Sequence, residues 1–283
     1  MFIPRKILAK KLMKLLADDI GQGDVTAAAI IPLGLMAKAE IIAKEEGVAS
    51  GIEEATILAE SLGLKVETQA KDGDQISDRQ VLIQITGDAQ TILSSERTLL
   101  NLLSRMSGIS TATRILAKKL EKAGFKAKIA ATRKSAPGLL YFDKKAVFTG
   151  GGDPHRLHLD DLILIKDNHL VITGGIEAAV SKAKVNASFS KKIEVEVTSS
   201  KDALIAAKAG ADIIMLDNFS PKQAKVASEL LRAAGFDKVL LEVSGGITTD
   251  TLLEYAAAQV DIISIGELTH SVKALNISLE IAK

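Results

Sequence analysis

The sequence predicts an α/β protein in which a mixed α+β unit precedes an open or incomplete (β/α) barrel of parallel strands. Three observations carry this. From Lys128 onward six short apolar runs recur (KIAATRK, LILIKDNH, IEVEVTSS, IIMLDNFS, VLLEVSGG and IISIGELT), each closed by polar residues or glycine. The stretches between them, such as DALIAAKAG and PKQAKVASELLRAAG, carry helical spacing and end in Gly. Strand-then-helix repetition implies parallel strands with right-handed crossovers, and so compact a series suits a small barrel better than a doubly wound sheet. The first hundred or so residues have another texture, short alternating strands broken by Gly and Asp around one helix.

Taken in order, the chain starts with a basic amphipathic segment whose apolar residues (Ile7, Leu8, Leu12, Leu15, Leu16) suit a surface helix; a transit peptide is the competing reading. A GQGD turn follows. AKAEIIAKEEGVASG and VLIQITGDAQTIL read as strands, with a helix over 52–62 between them. A long helical pattern runs from Ser94 to about Leu120 and leads into the barrel strands. VSGGI precedes a helix expected to begin at Thr248.

Composition narrows the function. With 36 Lys and Arg against 35 Asp and Glu, the net charge of +1 argues against a dedicated nucleic-acid binder. Two Tyr, seven Phe and no Trp leave few platforms for stacking bases. The absence of Cys removes disulfides, thiolate zinc sites and thiol nucleophiles together. No stretch approaches the run of about 18 apolar residues that spans a bilayer. A cytoplasmic enzyme of small molecules fits these numbers.

Barrel enzymes carry their sites at the carboxyl ends of the strands. Here those ends supply Arg133 and Lys134, then Lys166, Glu196, Asp217, Ser244 with Gly245 and Gly246, and Gly266. The loop GGGDPHR adds His155 and Arg156. A lone Lys or Arg is ordinarily a solvated loop charge. A knot of them from two adjacent strand ends and a glycine loop reads instead as a pocket for a small polyanion. Glu194 and Glu196 share a strand face, and acids inside a barrel need a partner or a metal. Glu196 and Asp217, ending neighbouring strands, suit sugar hydroxyls or a hydrated Mg²⁺, with a structural salt bridge as the alternative. The late glycines suit an anion-binding turn, although a Gly pair is more often a plain turn. His155 and His158 are spaced HxxH, but Pro154 and the glycines make a loop that does not align two ligands for zinc.

These strings resemble the quinolinate phosphoribosyltransferases. The resemblance covers nearly the whole chain, from DDIGQGDVT through SSERTLLNLLSRMSGISTAT, ATRKSAPG, AVFTGGGDPHR, LILIKDNH, IEVEV, ADIIMLDNFSP, LEVSGGI and SIGELTHS to LNISLEI. It implies an amino-terminal α/β sandwich domain over 1–110, joined by 271–283 as a returning last helix, and a barrel domain over 111–270. It also implies transfer of phosphoribosyl from phosphoribosyl pyrophosphate to quinolinate with decarboxylation, giving nicotinate mononucleotide for NAD synthesis. Mg²⁺ is the implied cofactor, held by Glu196 and Asp217 directly or through water. Lys134, Lys166, Glu196 and Asp217 are the implied catalytic group. Arg97, Thr132, Arg133, Lys134, His155, Arg156 and Lys166 are assigned to quinolinate, and Glu196, Asp217, Ser244, Gly245, Gly246 and Gly266 to phosphoribosyl pyrophosphate. The implied assembly is a homodimer or a higher oligomer, with Arg97 entering the neighbouring subunit's site.

The chain departs from the family pattern at a few positions. Ser135 and Ala136 stand where two threonines are usual, so one hydroxyl is missing. Leu140 stands where Arg is frequent, His158 where Gly is frequent, and Asn276 where Asp is frequent. Competing readings are a paralogue of the molybdenum-transport-associated type acting on another heterocyclic acid, a barrel lyase forming a Schiff base on Lys166, and a non-catalytic metabolite sensor.

Overall fold

The computed structural model describes residues 3–282. They form two compact units, one comprising the chain up to Arg114 with Tyr141–Gly150 and the segment from Val272, the other Ile115–Leu140 with Gly151–Ser271.

In chain order the first unit contributes α1 (Arg5–Ile20), α2 (Val25–Ile30), β1 (Met36–Ala43), β2 (Gly47–Val48), α3 (Ile52–Ser61), β3 (Lys65–Thr68), β4 (Gln75–Ile76) and β5 (Val81–Asp88). The basic start is a surface helix: α1 buries Leu8, Leu12 and Leu16, one face at four-residue spacing, and packs on α3. The GQGD turn works through Asp24, whose carboxylate accepts the Thr26 and Ala27 N–H groups and caps α2. A long helix, α4 (Ala89–Lys122), follows β5 directly. It starts five residues before Ser94 because Asp88 accepts the Thr91 N–H and hydroxyl, which ends the strand and opens the helix.

The second unit follows with β6 (Lys128–Ala131), after which α5 (Leu140–Thr149) lies almost wholly in the first. The barrel strands continue as β7 (Ile163–Ile165), β8 (Ile193–Val197), β9 (Ile213–Asp217), β10 (Leu240–Ser244) and β11 (Ile262–Ile265). Between and after them lie α6 (Asp167–Thr173), α7 (Ile176–Asn186), α8 (Ser200–Ala209), α9 (Pro221–Ala233), α10 (Leu252–Ala256) and α11 (Glu267–His270). The six strands form one parallel sheet in the order β6-β11-β10-β9-β8-β7, so β6 and β7, consecutive in sequence, are its two edges. This is an open α/β barrel, and the opening falls where the chain leaves for α5. Asp153 bridges to Ala130 on the free side of β6.

Three expectations need correction. Residues 141–150 belong to the first unit and not to a barrel domain running from 111. Their charges find partners there, Asp143 taking a bidentate bond from Arg105 and Lys145 pairing with Glu54 at 2.8 Å. The chain's last element is a strand, β12 (Ile277–Ile281), and not a helix; it pairs antiparallel with β1, giving the sheet β12-β1-β5-β3. LNISLEI alternates with period two, the strand spacing. On its way, the segment crosses α4 at Gly108, where any Cβ would overlap the Lys273 carbonyl. Finally, the helix after VSGGI starts at Leu252, because Thr248 and Thr251 bond each other in a turn first.

Candidate active site

The carboxyl ends of the barrel strands surround a cavity of about 340 Å³. Its walls include Thr132, Arg133 and Lys134 from the end of β6, Lys166 from β7, Glu196 from β8, Asp217 from β9 and Ser244 from β10. His155 and Arg156 enter from the loop across the open edge. A larger cavity, about 1060 Å³, lies at the opposite end, lined by Phe125, Leu162, Leu240 and Val260 among others. It shares His155 and Arg156 with the first cavity, and its other charges, among them Lys128, Asp161, Lys192 and Asp261, belong to loops and strand starts and not to the carboxyl ends of the strands.

Local structure explains how each group is presented. In IKDNH, the Lys166 N–H donates to His169 Nδ1, so the imidazole caps α6 and leaves the lysine side chain free to reach across. It does so, with Nζ 2.6 Å from Glu196 Oε2. Two residues predicted for different ligands are therefore paired with each other. Asp217 accepts the Asn218 side-chain N–H at 2.8 Å. Asn218 also lies against Gly245, which has φ +99°, so a side chain there would be strained and would meet the Asn218 amide. Lys134 is anchored by its carbonyl, which accepts the Thr269 hydroxyl at 2.7 Å.

The loop residues are held more tightly. His155 adopts φ +52°, an uncommon conformation for a residue with a Cβ. Its N–H donates to Asp153 Oδ1, its Nδ1 accepts the Arg156 N–H at 2.7 Å, and its Nε2 lies 3.0 Å from Glu242 Oε2. Arg156 is half-buried beside Arg133; burial first, then that like charge, lowers its pKa. Below them, burial and the neighbouring Glu242 carboxylate push Glu194 up to about 8. Burial beside a like charge favours the neutral, protonated form of a carboxyl group.

Of the residues expected from sequence, Thr132, Arg133, Lys134, His155, Arg156, Lys166, Glu196, Asp217 and Ser244 line this one cavity. Gly245, Gly246 and Gly266 sit in the turns that follow β10 and β11, outside its wall. Arg97 is exposed on α4 in the first unit. Glu242 and Ser264 line the cavity without having been singled out. The signal for Glu242 was available: in LLEVS it shares a strand face with Ser244, and a mid-strand acid in an apolar run faces something that needs it.

Residues 24–107 match the model of the quinolinate phosphoribosyl transferase N-terminal domain, and residues 109–280 that of the C-terminal domain. The chain belongs to the quinolinate phosphoribosyl transferase family. It is 46% identical over 278 residues to a protein of Methanocaldococcus jannaschii named as a probable nicotinate-nucleotide pyrophosphorylase [carboxylating], covering 97% of each chain. It is 36% identical over 254 residues to the human family member, nicotinate-nucleotide pyrophosphorylase [carboxylating], covering 90% of this chain and 85% of that one. The solved nicotinate-nucleotide pyrophosphorylase of Francisella tularensis superposes with a TM-score of 0.90 at 36% identity, covering 99% of this chain and 98% of that one. Family and fold thus agree with a site at the carboxyl ends of an open barrel.

Proposed function

We propose that this protein joins quinolinate to phosphoribosyl pyrophosphate with loss of carbon dioxide, forming nicotinate mononucleotide and pyrophosphate for NAD synthesis. The observation that carries this is one cavity in which Arg133, Lys134, Arg156 and Lys166 face Glu196 and Asp217. Four cations are more than a single phosphate requires, and they suit a rigid planar diacid. Each charge-assisted hydrogen bond is worth about 1.5–3 kcal/mol, so three or four support micromolar binding after entropic costs.

The pyridine nitrogen attacks the anomeric carbon of the ribose, forming the N–C bond as the bond to pyrophosphate breaks. Positive charge grows on the sugar, and Glu196 and Asp217 stabilise it. The carboxyl group beside the ring nitrogen then leaves as carbon dioxide. Its bonding electron pair stays on the ring carbon and takes up a proton. Arg133, Lys134 and Lys166 orient the ring and stabilise that carbanion-like centre. Binding of the diacid draws Lys166 from Glu196, which frees the carboxylate for the ribose side.

The donor set at the ends of β8 and β9 is all oxygen, two carboxylates with the Ser244 hydroxyl nearby, which fits Mg²⁺ completed by substrate phosphates. Glu196 and Asp217 would hold the ion, directly or through water, and it would neutralise charge on the departing pyrophosphate. We assign Ser244, Gly245, Gly246 and Gly266 to the phosphates and Thr132 and His155 to the quinolinate side. The working assembly is a homodimer in which Arg97 enters the neighbouring subunit's site, in the cytoplasm. Among the described residues no helix is long and apolar enough to cross a membrane.

The test is turnover with phosphoribosyl pyrophosphate, comparing quinolinate with nicotinate. Quinolinate is expected to be consumed and nicotinate left; the reverse preference would overturn the reading. Inactive Arg97→Ala and Lys166→Ala chains, mixed, are expected to regain activity through sites built from one intact half of each. No recovery would refute the shared site. Borohydride trapping with substrate is expected to leave Lys166 unmodified, since the transfer forms no imine.

A further inference from the structure

The barrel interior holds two acids that the transfer chemistry does not use. Glu194, near the start of β8, and Glu242, in the middle of β10, are both fully buried. Both reach His155 Nε2, at 3.4 and 3.0 Å. Neither oxygen of Glu194, nor Oε1 of Glu242, has a hydrogen-bond partner among the described residues. Buried carboxylates so poorly satisfied cost stability, and an aliphatic side chain of similar size would be neutral or better there. Met215, on the strand between them, shows that the interior accepts such a side chain.

The polarity of the His155 bonds decides what these acids do. Nδ1 accepts the Arg156 N–H, so it carries no proton, and the ring hydrogen sits on Nε2, directed at the carboxylates. A metal on Nε2 would need that lone pair, with the hydrogen moved to Nδ1 and donated outward. The observed arrangement is the opposite. Glu242 therefore acts on His155 as a hydrogen-bond acceptor, with Glu194 beside it at 3.4 Å, and the pair does not act as a ligand set.

The consequence falls on Arg156. Its guanidinium sits beside Arg133, an arrangement that repels until a dianion arrives, and the Glu242 carboxylate offsets that repulsion from below. The loop carrying it is fixed at one end through Asp153, whose N–H donates to the Ile129 carbonyl of β6 and whose side chain accepts the His155 N–H. At the other end His155 crosses the barrel to β10.

We propose that Glu242, supported by Glu194, is a positioning residue for recognition of the acid substrate. It holds His155 through Nε2–H, His155 holds the Arg156 backbone through Nδ1, and the Arg156 guanidinium is thereby presented to the pyridine dicarboxylate. The inference rests on the reading of this cavity as a quinolinate site, and its test separates the two.

Glu242→Gln keeps an acceptor for Nε2–H in the same volume, whereas Glu242→Leu fills the space without one. Steady-state kinetics of the full-length protein are measured for both substrates. Glu242→Leu is expected to raise the quinolinate KM at least tenfold and leave the phosphoribosyl pyrophosphate KM within twofold. Glu242→Gln is expected to stay within threefold of the parent for both. Equal changes in the two KM values, an unchanged quinolinate KM in Glu242→Leu, or equal impairment of both variants would overturn the proposal. If Glu242→Leu does not fold, Glu242→Met, which removes the acceptor with a side chain this interior already holds at Met215, must give the quinolinate-selective rise or the proposal fails. Absence of quinolinate turnover by the unaltered protein would instead overturn the functional reading beneath it.

Discussion

The two units each bury a cluster of charges, and the clusters are built on opposite terms. In the first, Lys145 on α5 is surrounded by Glu53, Glu54 at 2.8 Å and Asp72 at 3.3 Å, while Arg105 grips the buried Asp143 through two bonds. Burial works against the Lys145 charge, but Glu54 and its neighbours outweigh it and raise its pKa. In the second unit Glu194 and Glu242 crowd together with oxygens left unmet, beneath a cavity lined with cations. A closed cluster of buried charges specifies how segments dock. An open one beside a cavity marks where function is retained at the expense of stability.

The largest effect expected from this contrast is on stability in the first unit. Glu54→Ala strands the Lys145 ammonium with one strong partner fewer, and breaking a buried pair from one side costs about 3–5 kcal/mol. Denaturant unfolding should register that loss, while turnover per folded molecule stays near the parent's. A variant as stable as the parent would remove the closed cluster from the account. In the second unit the order reverses. Lys166→Ala and Arg133→Ala should each lower carboxylating turnover by about 10²–10³-fold, the scale of losing one electrostatic stabiliser, with an unchanged circular dichroism spectrum. Near-normal turnover in either would cancel that residue's role.

A smaller, graded effect concerns pH. The folded state holds the Glu194 proton up to about 8, against an ordinary value of 4.5. Between those values the folded state binds more protons than the unfolded one, so stability falls as pH rises through this window and levels off above it. Glu194→Gln should flatten that part of the profile, measured by urea unfolding at several pH values; an unchanged slope would show that Glu194 does not carry it. The smallest effect is expected at Ser135 and Ala136. Restoring the usual hydroxyl with Ala136→Thr should change the quinolinate KM only a few-fold, in keeping with about 0.5–1.5 kcal/mol for one hydrogen bond.

The same contrast explains what was legible in the sequence. Arg133, Lys134, Lys166, Glu196 and Asp217 close apolar runs, so a count of strands places all of them at one end of the sheet. Their convergence follows from parallel topology alone. The segment 141–150 is not legible, because Asp143 and Lys145 look like a solvated helix face until Arg105 and Glu54 pair with them in the interior. Glu194 is legible as an acid within an apolar strand, but its link to Glu242 depends on β8 and β10 flanking β9, a long-range register. The pairing of Lys166 with Glu196 also needed coordinates, since spacing assigns each a ligand but cannot say which meets which first.

The most direct measurement follows the carboxyl group itself. Quinolinate labelled in the carboxyl beside the ring nitrogen is incubated with the protein, phosphoribosyl pyrophosphate and Mg²⁺, and labelled carbon dioxide and pyrophosphate are counted together. The cationic end of this barrel predicts one carbon dioxide released for each pyrophosphate. Pyrophosphate formed with the label still on the ring would contradict it.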